Sequence, residues 1–523
     1  MGEVLFPAGP TRSERLALRV VQLGAIAVVL VASTYRLFDL DRFFVPKELV
    51  LHATAAIAAL LVVRALRIAD GIDWLLAGFL LLSAIGALTA TNPWLAMRAL
   101  AVSASGIALF WVARALRDAG LARPLVNAIA VAVVLASITS LLQAYGVRLD
   151  IFSINRAPGG TLGNRNFVAH AAAFGLPVVL LAALRARNAG GYLIGALGTS
   201  LVTASLVLTR SRAAWLAFAA MALVFAFGVV RTNTKMRLRF LGVLALVGGG
   251  VAAALLLPNA LRWRSDNPYL ESVRGVVNYE EGSGRGRLIQ YERSLRMAAT
   301  RPLFGVGPGN WSVEYPEHAR DNDPSLDPSS PGMTFNPWPS SDWVAFVAER
   351  GLAAALLMAA AFIALAVSGF RRIGRALDAE ERLTAATSTS IVVAAAIAGA
   401  FDAVLLLAVP TLLVWTSLGA LAAVDETQLE ARPRSQTFVA VLVLLVTLAG
   451  AARSSAQLLA MHILATDSDR TSLQRAAQID PGNFRLRLRM ARSGKRQQRC
   501  EHAEAAKRLY PHASAAKALR GCD

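Results

Sequence analysis

Charge-poor apolar runs recur along this chain, and several of them approach twenty residues. A helix needs about that length to cross a hydrocarbon core of roughly 30 Å. In lipid the backbone must satisfy its own hydrogen bonds, and a helix does so within one segment. A strand barrel needs short alternating segments, whereas these runs are continuous. The predicted fold is all-α, a polytopic transmembrane helical bundle. The runs cover about 20–36, 46–64, 74–90, 95–114, 124–145, 166–184, 192–209, 213–230, 240–257, 351–369, 384–408, 410–424 and 437–452. That makes about 12–13 spans.

The formal net charge is +19. Its placement argues against a nucleic-acid partner, because no compact basic face forms. The arginines instead sit in alternate short gaps. Arg12, Arg15 and Arg19 precede the first span. Arg64 and Arg67, then Arg114, Arg117 and Arg123, then Arg185 and Arg187 follow in phase. Arg231, Lys235, Arg237 and Arg239 continue it, and so do Arg371, Arg372 and Arg375. The bias places these gaps in the cytoplasm. The opposite side then receives 35–45, 91–94, 146–165, 209–212 and the long segment that follows residue 258. No cleavable signal precedes the first span, so that span is expected to stay in place.

That long segment, 259–342, separates an N-terminal bundle (1–258) from a C-terminal bundle (343–452). A structureless connection of such length is uncommon and usually functional. It is expected to form a folded cap on one side of the membrane. Its stretch GSGRGRLIQYERSLRMAATRPLF carries an apolar stripe at Leu288, Tyr291, Leu295 and Ala298, which predicts a helix from Arg287 to Thr300. Arg285, Arg287 and Arg293 are candidate anion contacts there. GVGPGNW, with Asn310, lacks the lysine and hydroxyl residue of a P-loop, so nucleotide binding is rejected. Asp342 opens the returning span, either as a cap or as a general base. Trp343 joins either an interfacial aromatic belt or a sugar-facing surface. Asp402, an acid within a span, marks a functional position.

Two arginines in TRSR, Arg210 and Arg212, fall on the non-cytoplasmic side. They either snorkel or grip an anion, and guanidinium forks suit phosphate oxygens. GGTLGNRNFVAH places Asn164 and Asn166 as caps of an outward helix N-terminus, with Arg165 adding charge where the dipole favours an anion. His170 lies a turn inside that span, where a packed histidine is the plainer reading.

The remaining 453–523 reads as a small helical tail with tetratricopeptide-like helix pairs, too few to fold alone. Asp480 is expected to cap a helix that starts at Pro481. The chain's two cysteines, Cys500 and Cys522, both lie here. A disulfide between them closes about twenty residues and contributes about 3 kcal/mol in an oxidising compartment.

GTLGNRNF, the SR of TRSRAAWL, RLIQY followed by PLFGVGPGNW, and SSDWVAFVAERGL occur in that order over roughly 150–370. The set resembles the O-antigen ligase and polymerase-like family of bacterial inner-membrane proteins. The resemblance implies a metal-independent glycosyltransferase without a cofactor. It would take a glycan from undecaprenyl diphosphate at the periplasmic face. The acceptor would be lipid A–core, another glycan or a protein. It implies that Arg212 and Arg287 hold the diphosphate; the residues themselves add Arg165, Arg210, Arg285, Asn164 and Asn310 as candidate substrate contacts. The family often carries a histidine near the end of the loop. Ser340 stands there in this chain, which leaves Asp342 or His318 as the base. Trp343 and Ser340 would border the substrate. The alternative reading is a transporter for an anion such as bicarbonate.

Overall fold

A computed structural model of the chain describes residues 9–35, 41–68, 70–154, 156–263, 265–275, 282–320, 322–422, 434–467, 469–492 and 496–517. The described residues are helical, with a lone bridge between Leu326 and Thr334. Nine helices precede the long connection: α1 (Arg12–Leu30), α2 (Asp41–Leu61), α3 (Gly71–Leu88), α4 (Pro93–Asp118), α5 (Ala122–Ala144), α6 (Arg165–Leu184), α7 (Ala189–Thr209), α8 (Arg212–Val230) and α9 (Thr234–Leu256). The connection holds α10 (Pro268–Arg274), α11 (Gly282–Thr300) and α12 (Trp311–His318). The chain then re-enters the bundle through α13 (Asp342–Arg375), α14 (Ala379–Phe401), α15 (Ala408–Leu421) and α16 (Arg434–Thr466). The tail adds α17 (Arg470–Ile479), α18 (Phe484–Ala491), α19 (Arg496–Leu509) and α20 (Ser514–Lys517).

Eleven helices among the described residues are long and apolar enough to cross a membrane. The charged start of α1 and the 14-residue length of α15 keep those two outside that set. With them, every one of the thirteen apolar runs is a helix. Polar caps fix where the spans begin. Thr11, Asp70, Asn92, Asn164, Asn188, Asn233, Ser341 and Asp378 each accept a backbone N–H of the first turn. Central α6 is almost wholly buried, while α9 lies at the rim, packed on α7 and with few fully buried residues.

The two ends of the bundle differ in chemistry. At one end, basic residues cap the carbonyls of other helices. Arg123 donates to the Arg185 carbonyl at 2.7 Å, Arg239 to Leu184 and Ala186 at 3.0 Å, and Arg372 to Leu421 at 3.1 Å. These are the gaps that the charge bias assigned to one side. At the other end lie the segments assigned to the opposite side, and they meet the long connection. Thr91 donates to Glu314, and the Asn92 N–H to Asn310 Oδ1 at 2.7 Å.

The connection is stitched to α13 where that helix breaks. Gly351 has φ 83°, a left-handed conformation that leaves the Leu352 N–H free to reach the Pro302 carbonyl at 2.9 Å. The Val306 and Gly307 N–H groups bond the Ala348 and Glu349 carbonyls at 3.0 and 2.9 Å. Buried Glu349 then accepts the N–H groups of Gly309 at 2.8 Å and Trp311 at 3.1 Å. The glycine turn therefore wraps a carboxylate of the protein itself.

Several local expectations change. Helix α11 begins at Gly282, five residues before Arg287. Ser341 rather than Asp342 caps α13. Asp480 ends α17, and Asn483 caps α18. Helix α16 continues past 452 to Thr466, so the tail helices start beyond it. Cys500 is disulfide-bonded, and Cys522 lies outside the described residues.

A Cβ on Gly305, at φ 65°, would fall 2.6 Å from the Ala348 carbonyl oxygen. Gly305→Ala is therefore expected to destabilise the cap by roughly 1–3 kcal/mol, read as a lowered melting temperature in detergent. Gly71→Ala, with nothing within 4 Å, is the control expected to leave that temperature unchanged.

Candidate functional site

Among the described residues, five arginines line one cavity of about 790 Å³ at the capped end of the bundle: Arg165, Arg210, Arg212 and Arg287, which the sequence singled out, and Arg262. Each of the first four arrives from a different local structure. Arg165 is the first residue of α6, behind the Asn164 cap, whose side chain accepts the Asn166 N–H at 3.0 Å. Arg210 closes α7 in a left-handed conformation, φ 55°, that a non-glycine residue rarely adopts. Arg212 opens α8 two residues later. Arg287 comes from α11, which packs Met297 and Ala298 against Trp311 and Tyr315 farther along the helix.

Like charges repel, so the arrangement needs compensation. Trp263 supplies part of it. The guanidinium carbons of Arg165 and Arg210 lie 4.9 and 4.8 Å from its ring centroid, where the negative face of the ring attracts them. Arg210 also donates to Ser272 Oγ at 2.9 Å and lies 3.6 Å from Glu271. Arg212 donates to the Gly275 carbonyl and to Ser283 Oγ at 2.5 Å. Of these partners, Ser272, Ser283 and the Gly275 carbonyl are uncharged, and Glu271 is exposed. The first residues of α6 and α8 both line the cavity, so two helix N-termini add their partial positive charge. The lining is strongly cationic, with Glu271 the one acid in it among the described residues.

Beside it a carboxylate and an imidazole lie close together. Asp402, at the break between α14 and α15, accepts the Asn166 side-chain amide at 3.2 Å. The same Oδ2 lies 3.9 Å from His170 Nε2. His170 is fully buried, and neither ring nitrogen has a hydrogen-bond partner among the described residues. Asn166 lines the arginine cavity, and the Asp402 carboxyl keeps 13% of its surface exposed.

The other expected residues are placed as follows. Asp342 is buried, and its two oxygens accept the Val404 and Leu405 N–H groups at 2.9 Å each. That carboxylate latches α13 to the α14–α15 break. Asn310 is fully buried and exchanges bonds with the Asn92 backbone. Ser340 is held through its backbone, by the Gln290 side chain at 2.6 Å and the Tyr291 hydroxyl at 2.6 Å. Trp343 donates to the Ala396 carbonyl at 3.0 Å and packs edge-on against Phe346 and Phe362, inside the bundle. Arg285 is exposed on α11, and His318 ends α12; neither lines the arginine cavity. Trp263 and Arg262 went unremarked in the sequence. An aromatic between arginines in LRWR was the available signal, but nothing local shows that it folds back onto two span ends.

Inorganic pyrophosphate is expected to raise the melting temperature of the purified protein, less so at high salt. Arg287→Ala is expected to weaken that binding about tenfold, as loss of a charge-assisted contact would. A titration that gives equal affinities for both proteins would remove Arg287 from the anion site.

Residues 196–359 match the family model described as O-Antigen ligase. No curated protein matches the chain. The match, which covers under a third of the chain, and the apolar helices support a multi-pass membrane protein with a glycosyltransferase-like function. They give no support to the anion-transport alternative.

Proposed function

We propose, from a chain that carries the O-antigen ligase domain over residues 196–359, that this protein moves a glycan from a polyprenyl diphosphate, such as undecaprenyl diphosphate, to an acceptor hydroxyl. It would sit in a bacterial inner membrane with the 259–342 cap and the tail in the periplasm. The acceptor would be lipid A–core, another glycan or a protein. The observation that carries this reading is the convergence of Arg165, Arg210, Arg212 and Arg287 on one cavity.

In the step we infer, the acceptor oxygen bonds to the anomeric carbon. The bond from that carbon to the phosphate oxygen breaks, and the diphosphate leaves with the electron pair. Fixed guanidinium charge stabilises the negative charge as it develops there, in a site whose dipoles are already oriented. Arg212 and Arg287 are assigned to the diphosphate, with Arg165 and Arg210 braced on Trp263 beside them. No metal is required for this balance of charge.

The acceptor's proton needs a nearby base. Asp342 has both oxygens committed to backbone amides, so we assign the role to Asp402. Asp402 keeps an exposed edge next to Asn166 and has His170 behind it. Its carboxylate takes the hydroxyl proton as the new glycosidic bond forms.

Transfer from a purified polyprenyl-diphosphate glycan tests these roles. Arg212→Ala and Arg287→Ala are each expected to lower the rate about 10²–10³-fold. Asp402→Asn is expected to lower it about 10²–10⁴-fold while the protein stays folded. Asp342→Asn is expected to act chiefly by lowering the melting temperature, because one buried amide loses its acceptor. Transfer that survives both arginine changes would sink the assignment, and activity abolished by a chelator would sink the metal-free step.

A further inference from the structure

A second and larger cavity, about 1080 Å³, adjoins the arginine site. The two share Arg165, Asn166, Arg262 and Trp263 as a common wall. The far side is the 146–166 segment between α5 and α6, and buried cations pin it. Arg42 donates to the Asp150 and Phe152 carbonyls at 3.1 and 2.9 Å, and Lys47 to the Thr161 carbonyl at 2.8 Å. The wall is thus set by backbone contacts, which leaves its own charged side chains to face the cavity.

Those charges are one-sided. Arg148, Arg156, Arg165 and Arg262 line the cavity, against a single acid, Asp150. Arg148, Arg156 and Arg262 form no ion pair among the described residues. A concave wall with unpaired cations concentrates anions. Its position fits one kind of molecule. A sugar joined to a diphosphate in the arginine cavity must leave along one of that cavity's walls, and so must an acceptor approaching the same carbon.

We propose that the larger cavity binds an anionic saccharide, one bearing carboxylate or phosphate groups, so that this protein selects glycans by charge. The proposal rests on the transferase reading above. It adds the class of glycan. The charged saccharide belongs either to the donor or to the acceptor, and the chemistry of recognition is the same for both.

Direct binding tests this without any transfer. The full chain in nanodiscs is titrated with trigalacturonic acid and with the neutral galactotriose. The acidic trimer is expected to bind about tenfold more tightly at low ionic strength, as a few partly exposed charge pairs allow. That ratio is expected to fall toward one in high salt and in the Arg148→Ala/Arg156→Ala double variant. Equal binding of the two trimers would overturn the proposal, and so would a preference that persists unchanged in the double variant. Transfer assays then place the charge on the donor sugar in one arm and on the acceptor in the other. A charge preference in either arm supports the proposal and names the source, and no preference in both arms overturns it. Arg287→Ala separates the two readings, because trimer binding persists even if the transferase assignment fails.

Discussion

The cap stays on this bundle because one buried carboxylate is wrapped by one glycine turn. Glu349 sits one residue into the end of a helical segment, at the point where Gly351 breaks α13. Alone in an apolar interior, its charge would be costly. The turn from Gly305 to Trp311 brings backbone N–H groups to it and bonds the neighbouring carbonyls in return. The cap and the span thereby satisfy each other's polar groups. From that anchor, α11 runs back across the mouth of the bundle and carries Arg287 to the ends of α6 and α8.

Gathering five arginines raises an electrostatic problem that the fold answers with geometry. Two of them stack on Trp263. Arg210 and Arg212 also spend part of their hydrogen-bonding capacity on carbonyl and hydroxyl oxygens, which hold the forks in place. Strain is concentrated in the same place, since Arg210 adopts a left-handed conformation held by its neighbours. Such a site is poised for a ligand that brings negative charge. The tail adds a further layer. Trp94 at the α3–α4 turn donates to Asp480 at 2.7 Å, and the Ser514 N–H bonds the Pro331 carbonyl at 2.9 Å. The tail therefore packs on the cap and on the bundle end beneath it.

Sequence and structure divide the work unevenly. Apolar length set the thirteen helices, because lipid leaves a spanning backbone no other economy. The alternation of basic gaps sorted the loops into two groups, and the structure brings each group together at one end. Arg165, Arg210, Arg212 and Arg287 were legible because charged groups on the unfavoured side of spans need a reason. Asp342 was legible as special but not as a latch. Its partners, the Val404 and Leu405 amides, lie some sixty residues away, and no local pattern announces them.

The amino-acid order by itself therefore determined the class of fold, the places of the apolar helices and which residue types stood at the capped end. These follow from short-range rules of length, charge and helix capping. The tertiary structure alone decided that five arginines share one cavity, that Trp263 braces two of them, and that Asp402 with His170 lies beside them. It also gave Asn310 and the glycine turn to structure. Such outcomes depend on contacts between residues far apart in the chain, and the geometry of those contacts is fixed only when the helices pack.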